Sequence, residues 1–143
     1  MKCMETEKKK AYLRSYQAAE RKARRIEERI ETLRKQKMHP GMTYDDMPHG
    51  TGQSDLSDYI VEMESLIEEL KTVRLEAIHN CRQIEKDIES ITAADKEKEN
   101  NMKLVLAMRY IDKMAWEEIA ERVGYSVQSV YRLHGEALLK LNV

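Results

Sequence analysis

Apolar residues recur at alternating steps of four and three along the first part of the chain. They lie at positions 12, 16, 19, 23, 26, 30 and 33. Steps of this kind keep apolar side chains on one face of a helix and are typical of a coiled-coil seam. Pro40 and Gly41 follow, and both oppose continuation of a helix. The pattern therefore predicts a first helix over about residues 4–38.

A second seam with the same stepping begins at Met63. It continues through positions 67, 70, 74, 77, 81, 84, 88 and 91, where Arg74 interrupts the apolar series. This predicts a second helix over about residues 55–91, joined to the first by a loop at 39–54. Neither helix can bury its stripe alone, so we expect an antiparallel coiled-coil hairpin and a homodimer formed through the same seams.

The apolar pattern changes after Ile91. Residues 92–95 indicate a hinge or the start of a new helix. Further along, Ala120, Gly124 and Val130 have the spacing of a helix-turn-helix, which needs a small residue at the helix crossing and a residue in the turn that tolerates left-handed backbone angles. The sequence thus predicts an all-α protein with a helical hairpin domain at 1–91 and a small helix-turn-helix domain at 92–143.

The helix-turn-helix pattern also predicts a structural role for each of the neighbouring residues. Ser126 is expected to cap the second helix of the motif. A small core is expected to form around Val130 from Ile119, Val123, Tyr125 and Leu133. We expect His134 to pack at the edge of this core, with a contact to the DNA backbone as the alternative.

A second helix docked through Val130 turns its N-terminal half outward, and in helix-turn-helix proteins that half enters the major groove of DNA. Gln128 and Arg132 are expected to contact base edges, since these side chains pair with adenine and guanine. Other residues of the helix start are expected to contact phosphates. The predicted DNA-binding set is Ser126, Val127, Gln128, Ser129, Tyr131 and Arg132.

Charge is strongly segregated along the chain. Residues 1–38 carry 13 Lys and Arg against 6 Asp and Glu, whereas residues 55–100 carry 6 against 13. This favours pairing of a basic first helix with an acidic second one, with nucleic-acid contact by the first helix as the alternative. Residues 101–143 carry 6 basic against 5 acidic residues, which predicts weak DNA binding by a single copy.

No pattern for catalysis is present. The chain lacks a phosphate-binding glycine loop, zinc-ligand spacing and a nucleophile with a recognisable base, so we expect no enzymatic activity and no cofactor. Asp45, Asp46 and His49 have the spacing of no established metal site, and turn chemistry accounts for them. Cysteine usage and the lack of an apolar run of about 20 residues predict a cytoplasmic protein that does not enter the membrane.

The segment from Val105 to Leu141 resembles region four of bacterial sigma factors. Its matching pieces are Met108-Arg109-Tyr110, the WEEIA run at 116–120 and Gly124-Tyr125-Ser126. From about residue 45 onward the chain is similar to sigma-like, late-gene activators of phages and prophages of Gram-positive bacteria. The resemblance implies a transcription regulator that binds promoter double-stranded DNA and acts with host RNA polymerase. The chain departs from the sigma pattern in two ways. The second helix of the motif carries few basic residues, and Gly135 stands where sigma factors tend to carry a basic residue.

Two other interpretations remain open. Small phage DNA-packaging subunits of the terminase type also combine a helix-turn-helix with a coiled coil, and they assemble as rings of many copies. Alternatively, the chain is a helical protein-interaction module that does not bind DNA, which the modest positive charge of residues 101–143 favours.

Overall fold

The computed structural model describes residues 2–37 and 52–143, and within these ranges it is all-α, as predicted. The helices are α1 (Lys2–Lys37), α2 (Gly52–Glu89), α3 (Lys96–Leu106), α4 (Trp116–Val123) and α5 (Val127–Lys140). Most of the predicted loop, including Asp45, Asp46 and His49, lies outside the described residues. Over the part that is described, no helix offers a stretch long and apolar enough to cross a membrane.

The chain divides into two compact units. One contains residues 1–18 and 77–143, and the other contains residues 19–76. Each unit therefore holds part of both long helices. The N-terminal part of α1 and the C-terminal part of α2 belong to the same unit as α3, α4 and α5. The sequence pattern, in contrast, predicts a division between residues 91 and 92.

In the unit of residues 19–76, α1 and α2 pack through a small apolar core. Its buried members are Ala23, Ile26 and Ile30 from α1 and Leu66 and Val73 from α2. The α1 residues are those of the predicted seam. Arg74 and Glu27 form a salt bridge between the two helices in the same unit.

The seam of α2 in this unit is shifted by one residue from the predicted one at two places. Leu66 and Val73 are buried, whereas Ile67 is 37% exposed and Arg74 lies at the surface. Both series satisfy steps of three and four. The observed series buries no guanidinium group, and burial of an unpaired charge is very costly, so it is the one that the structure adopts.

In the unit of residues 1–18 and 77–143, the remaining parts of α1 and α2 run antiparallel. Tyr12 donates a hydrogen bond to Asp87, and Asn80 Nδ2 donates to Ser15 Oγ over 2.8 Å. Leu13 lies outside the predicted seam yet is fully buried. It is part of a core that also contains Ile84, Ile88, Ile91, Met102, Leu106, Tyr110, Ala137, Leu138 and Leu141.

Two carboxylates hold the connection between α2 and α3. Asp95 caps α3 by accepting a hydrogen bond from the Glu97 N–H over 3.0 Å. Buried Glu99 accepts one from the Ala93 N–H over 3.0 Å, and this bond keeps the pKa of the Glu99 carboxyl below its usual value. Residues 92–95 therefore lead directly into a new helix, which was one of the two structures predicted for them.

The helix-turn-helix forms between α4 and α5 as predicted. Gly124 ends α4 in the left-handed conformation with φ of 77°, and its N–H donates to Ala120 O over 2.9 Å. Ser126 caps α5 by accepting from the Ser129 N–H over 3.1 Å. Ala120 is buried in a cluster with Val105, Ile119 and Val130.

Tyr125 differs from its predicted place in this core. Its side chain is 41% exposed, and its hydroxyl accepts a hydrogen bond from Asn101 Nδ2 over 3.1 Å. A tyrosine at a turn keeps its hydroxyl paired more easily at the surface than in a core of four small apolar residues.

Two glycine substitutions test the turn, and they are expected to have opposite effects. An added Cβ at Gly124 or Gly135 meets no atom within 4 Å, so only the backbone term changes. Gly124→Ala should lower the free energy of unfolding by about 1–2 kcal/mol because of the left-handed angles. Gly135→Ala, within α5, should raise it by up to about 1 kcal/mol. Urea denaturation measures both changes, and a neutral Gly124→Ala would contradict the left-handed turn.

Candidate nucleic-acid interface

Helix α5 presents two contrasting faces. Val130, His134, Ala137 and Leu138 are buried. Gln128, Tyr131 and Arg132 are exposed on the other side, as predicted. Gln128 and Arg132 are four residues apart, so their side chains lie one above the other on one face of the helix.

The serines at the start of α5 are tied into the cap. The Ser126 hydroxyl is exposed, accepts from the Ser129 N–H and lies 3.0 Å from the Ser129 hydroxyl. The first N–H groups of α5 face the same end of the helix and carry the positive end of its dipole. This end can therefore bind an anion such as a phosphate oxygen.

Val127 does not face outward as the sequence predicted. It is half-buried and packs against the cluster of Val105, Ile119, Ala120 and Val130. An apolar side chain at the first position of α5 gains more from this contact than from exposure to water. The candidate interface therefore consists of Ser126, Gln128, Tyr131 and Arg132, with Ser129 half-buried beside them.

The ring of Tyr131 packs against an aromatic side chain that is itself covered by a guanidinium group. The Tyr131 ring meets Trp116 edge to face, with 5.2 Å between centroids. Arg109 lies over the Trp116 ring, 4.4 Å from its centroid, and donates from Nη1 to Met114 O over 3.0 Å. The sequence pattern did not indicate the Arg109 contact, because a turn separates the two residues.

That turn begins with a wider helical turn at Ala107–Ile111. Asp112 N–H donates to Ala107 O over 3.0 Å, a bond that spans five residues and belongs to a π-helix. Lys113 follows with φ of 58°, an uncommon angle for a residue with a side chain. Residues 107–113 thus connect α3 to α4 through two unusual backbone conformations, and this connection lies directly before Trp116.

His134 is buried and packs inside the molecule, as expected. It shares a 2.7 Å hydrogen bond between Nε2 and the Tyr110 hydroxyl, and its ring meets Trp116 edge to face. Burial, together with the positive charges of Lys10, Arg109 and Arg14, lowers the pKa of His134 to about 4. The ring is therefore neutral at physiological pH and adds no charge to the interface.

Arg132 lies at the edge of a polar cleft between α3 and α5. The cleft has a volume of about 290 Å³, and its lining includes Asn101, Tyr125 and Ser129. Lys98 and Glu136, which also line it, form a salt bridge of 2.7 Å. Asp95 and Glu97 also line the cleft, so Arg132 has hydroxyl, amide and carboxylate groups as neighbours.

Acidic residues of α4 flank the candidate interface. Glu117 and Glu118 lie in the first turn of α4, and both are exposed, as is Glu121. Exposed cations nearby are Arg122 at the end of α4 and Arg132 on α5. The surface around α5 therefore carries a small number of defined cations rather than a broad basic patch.

The basic segment of α1 is partly committed to contacts within its own unit. Lys9 is buried and donates from Nζ to Leu138 O over 2.9 Å. Tyr12 is bonded to Asp87. Gln17 Nε2 donates to Tyr110 O over 3.2 Å. These contacts hold this part of α1 within its own unit, but none of them joins a basic side chain of α1 to an acidic side chain of α2, and the Arg74–Glu27 salt bridge has the opposite polarity.

Metal binding has no site in the described part of the chain. There, no three His, Cys, Asp or Glu side chains come together in a group that could hold a metal ion.

Cys81 is a half-buried free thiol whose pKa is raised by burial and by Glu85.

The geometry defines an all-α protein with a helix-turn-helix whose second helix has an exposed polar face. A family model described as "Protein of unknown function (DUF1492)" matches residues 37–142, which is most of the chain. The protein belongs to this family. No curated protein and no solved structure matches the chain.

The buried His134 predicts a loss of stability in mild acid. Below pH 6.5 an unfolded chain binds a proton at this histidine, whereas the folded chain binds it only near pH 4. The contribution of His134 is therefore fully present above pH 6.5 and is lost as the pH falls toward 4. Protonation of His134 should therefore lower the free energy of unfolding by about 2 kcal/mol between pH 7.5 and pH 5.

Urea denaturation at the two pH values measures this loss. His134→Gln should remove most of it, since the variant has no ring to protonate. His79→Gln, at an exposed position on α2, is the matched control and should keep the wild-type pH dependence. Equal pH dependence in wild type and His134→Gln would show that His134 is not held neutral.

Proposed function

We propose that this protein is a sequence-specific DNA-binding transcription regulator, and that α5 is its recognition helix. The observation that carries the proposal is the exposed polar face of α5, with Gln128 and Arg132 one turn apart on a helix whose other face is buried. A helix of about 10–12 Å diameter fits the major groove, where base edges present distinct donors and acceptors.

The side chains at these positions suit that role. Arg132 carries a planar donor fork that matches the two acceptors of guanine, and Gln128 can pair with adenine through its amide. Ser126 and the first N–H groups of α5 suit a phosphate that fixes the helix in the groove. Tyr131, whose ring packs against Trp116, suits a further contact with the DNA backbone.

The rigidity of the motif supports the same function. Val130 and Ile119 are fully buried, and the turn between the helices is held by the Gly124 and Ser126 bonds. Side chains on a helix packed in this way keep their positions relative to one another, which base reading requires.

The resemblance to sigma region four extends the proposal to host RNA polymerase as a partner at a promoter, as in a phage-derived activator. A single domain with so few exposed cations should bind DNA weakly by itself. Tethering to polymerase or to a second DNA-binding domain raises the effective concentration of the recognition helix at its site.

A second candidate function is protein binding without DNA contact. The observation that favours it is the group of exposed carboxylates on α4, Glu117, Glu118 and Glu121, which repel phosphates beside α5. A protein that alters transcription by purified polymerase, yet protects no DNA from cleavage, would support this candidate over the first.

Selection of bound fragments from random double-stranded DNA tests the proposal directly. We expect enrichment of a defined site and binding that weakens steeply with salt. Fragments without a common sequence, bound no more tightly than scrambled DNA, would refute sequence-specific recognition. Transcription with host polymerase on a promoter carrying the selected site then tests regulation.

Substitutions of Arg132 should distinguish recognition of a base from general attraction between a positive charge and DNA. Arg132→Ala should weaken binding to the selected site by about 10- to 100-fold, the cost of a lost bidentate base contact. Arg132→Lys keeps the charge but lacks the planar fork, so it should lose most of the preference for the selected site over scrambled DNA. Fluorescence anisotropy at fixed salt measures both.

The matched control for these variants is Arg82→Ala, at an exposed position on α2. It removes the same side chain away from α5 and should leave the preference for the selected site unchanged. If Arg82→Ala and Arg132→Ala weaken binding equally, the contact is general electrostatic attraction and α5 is not the reading helix.

A further inference from the structure

We propose that Gln17 of α1 is a positioning residue for the recognition helix, and that it acts on α5 through the connection between α3 and α4. The inference rests on the proposed function, because it takes the exposed face of α5 as the surface that reads DNA. Gln17, the connection at residues 107–113 and α5 all belong to the unit of residues 1–18 and 77–143.

Gln17 contacts the connection where its backbone departs from a regular helix. The amide Nε2 of Gln17 donates to Tyr110 O over 3.2 Å and to Arg109 O over 3.4 Å. Carbonyl oxygens only accept hydrogen bonds, so the amide must present its nitrogen to them. One side chain of α1 is therefore bonded to two successive peptide groups of the connection.

The wider helical turn explains why Tyr110 O is available to α1. In a regular α-helix this oxygen would accept from the N–H of Met114, four residues later. Here the Met114 N–H donates instead to Met108 O over 2.9 Å. Tyr110 is buried, and a buried carbonyl that loses its helical donor needs another partner. Gln17 supplies that partner.

From the connection, contacts lead to the outer face of α5. The guanidinium of Arg109 lies over the Trp116 ring, 4.4 Å from its centroid. Trp116 in turn meets Tyr131 edge to face, with 5.2 Å between centroids. Tyr131 is 48% exposed and belongs to the candidate interface. A residue whose backbone is bonded to Gln17 therefore covers the ring against which an interface side chain packs.

A second path joins the same connection to the buried face of α5. The Tyr110 hydroxyl and His134 Nε2 share a hydrogen bond of 2.7 Å, and the rings of His134 and Trp116 lie 4.8 Å apart between centroids. Both residues that Gln17 holds by the backbone thus reach α5, one directly and one through Trp116. A shift of the connection is transmitted to the orientation of α5.

Reading of bases is sensitive to such shifts, because the reading side chains must be held within about 0.5 Å of their working positions. The connection contains a π-helical turn and Lys113 with φ of 58°, so its own hydrogen bonds are less regular than those of a continuous helix. An external contact is needed to fix it. Gln17 provides this contact, and its effect appears as DNA affinity without any contact between Gln17 and DNA.

Gln17→Met tests the inference with the full chain, since methionine has a similar length and no donor. It should weaken binding to the site selected from random DNA by about 3- to 10-fold, the equivalent of one hydrogen bond. Fluorescence anisotropy at fixed salt measures this loss. Trp116 is the single tryptophan of the chain, so its emission should also shift to longer wavelength as Arg109 uncovers the ring. Circular dichroism establishes that the helices persist.

Gln36→Met is the matched control. Gln36 lies exposed on the same helix but in the unit of residues 19–76, so its substitution should change neither DNA affinity nor Trp116 emission. A residue that only stabilised the fold would lower the free energy of unfolding and leave both readouts of the folded chain unchanged.

Arg109→Lys breaks the path at its second step, because lysine keeps the charge but lacks the planar group that stacks over Trp116. If Gln17 acts through Arg109, the loss of affinity in the double variant should be smaller than the product of the two single losses. Independent contributions would instead multiply.

Three results would overturn the inference. They are multiplied losses in the double variant, a Gln17→Met variant that keeps wild-type affinity or wild-type emission, and a Gln36→Met variant that loses as much as Gln17→Met. A Gln17→Met chain without its helices would assign Gln17 to stability and would overturn the inference as well.

The proposed function and this inference fail in different ways. A wild-type chain that selects no DNA site refutes the proposed function, and the inference with it. A wild-type chain that selects a site, with Gln17→Met binding that site equally well, refutes the inference alone.

Discussion

Burial of one face of α5 is the constraint on which the candidate interface depends. Val130, His134 and Ala137 line that face, and their burial fixes the rotation of the helix about its axis. Gln128 and Arg132 must then point outward, because side chains near the opposite side of a helix cannot reach the same core. The left-handed Gly124 and the small Ala120 permit the close packing that makes this burial possible.

Positive charges in this protein have separate tasks. Lys9 donates to a backbone carbonyl in the core, and Arg109 is held over Trp116, so both stabilise the fold. His134 is kept neutral by burial. Arg132 alone among these lies exposed on α5, where a charge can act on a ligand. The low net charge of residues 101–143 therefore says little about the interface until the position of each cation is known.

The long helices combine local pairing with unused apolar surface. In the unit of residues 19–76, Ile26 and Ile30 pack against Leu66 and Val73, while Ile60 and Ile67 remain accessible. A strict alternation of three and four residues needs only one partner helix, and the additional isoleucines exceed that need.

Local chemistry allowed the sequence by itself to determine the helices, the left-handed turn at Gly124 and the cap at Ser126, because each depends on residues close together in the chain. The same reasoning located the exposed Gln128 and Arg132. Only the tertiary structure decided that Val127 packs inward, that Val73 rather than Arg74 joins the seam, and that Arg109 covers Trp116. Neighbouring helix positions satisfy one periodic pattern almost equally well, so the choice between them depends on contacts made by distant segments.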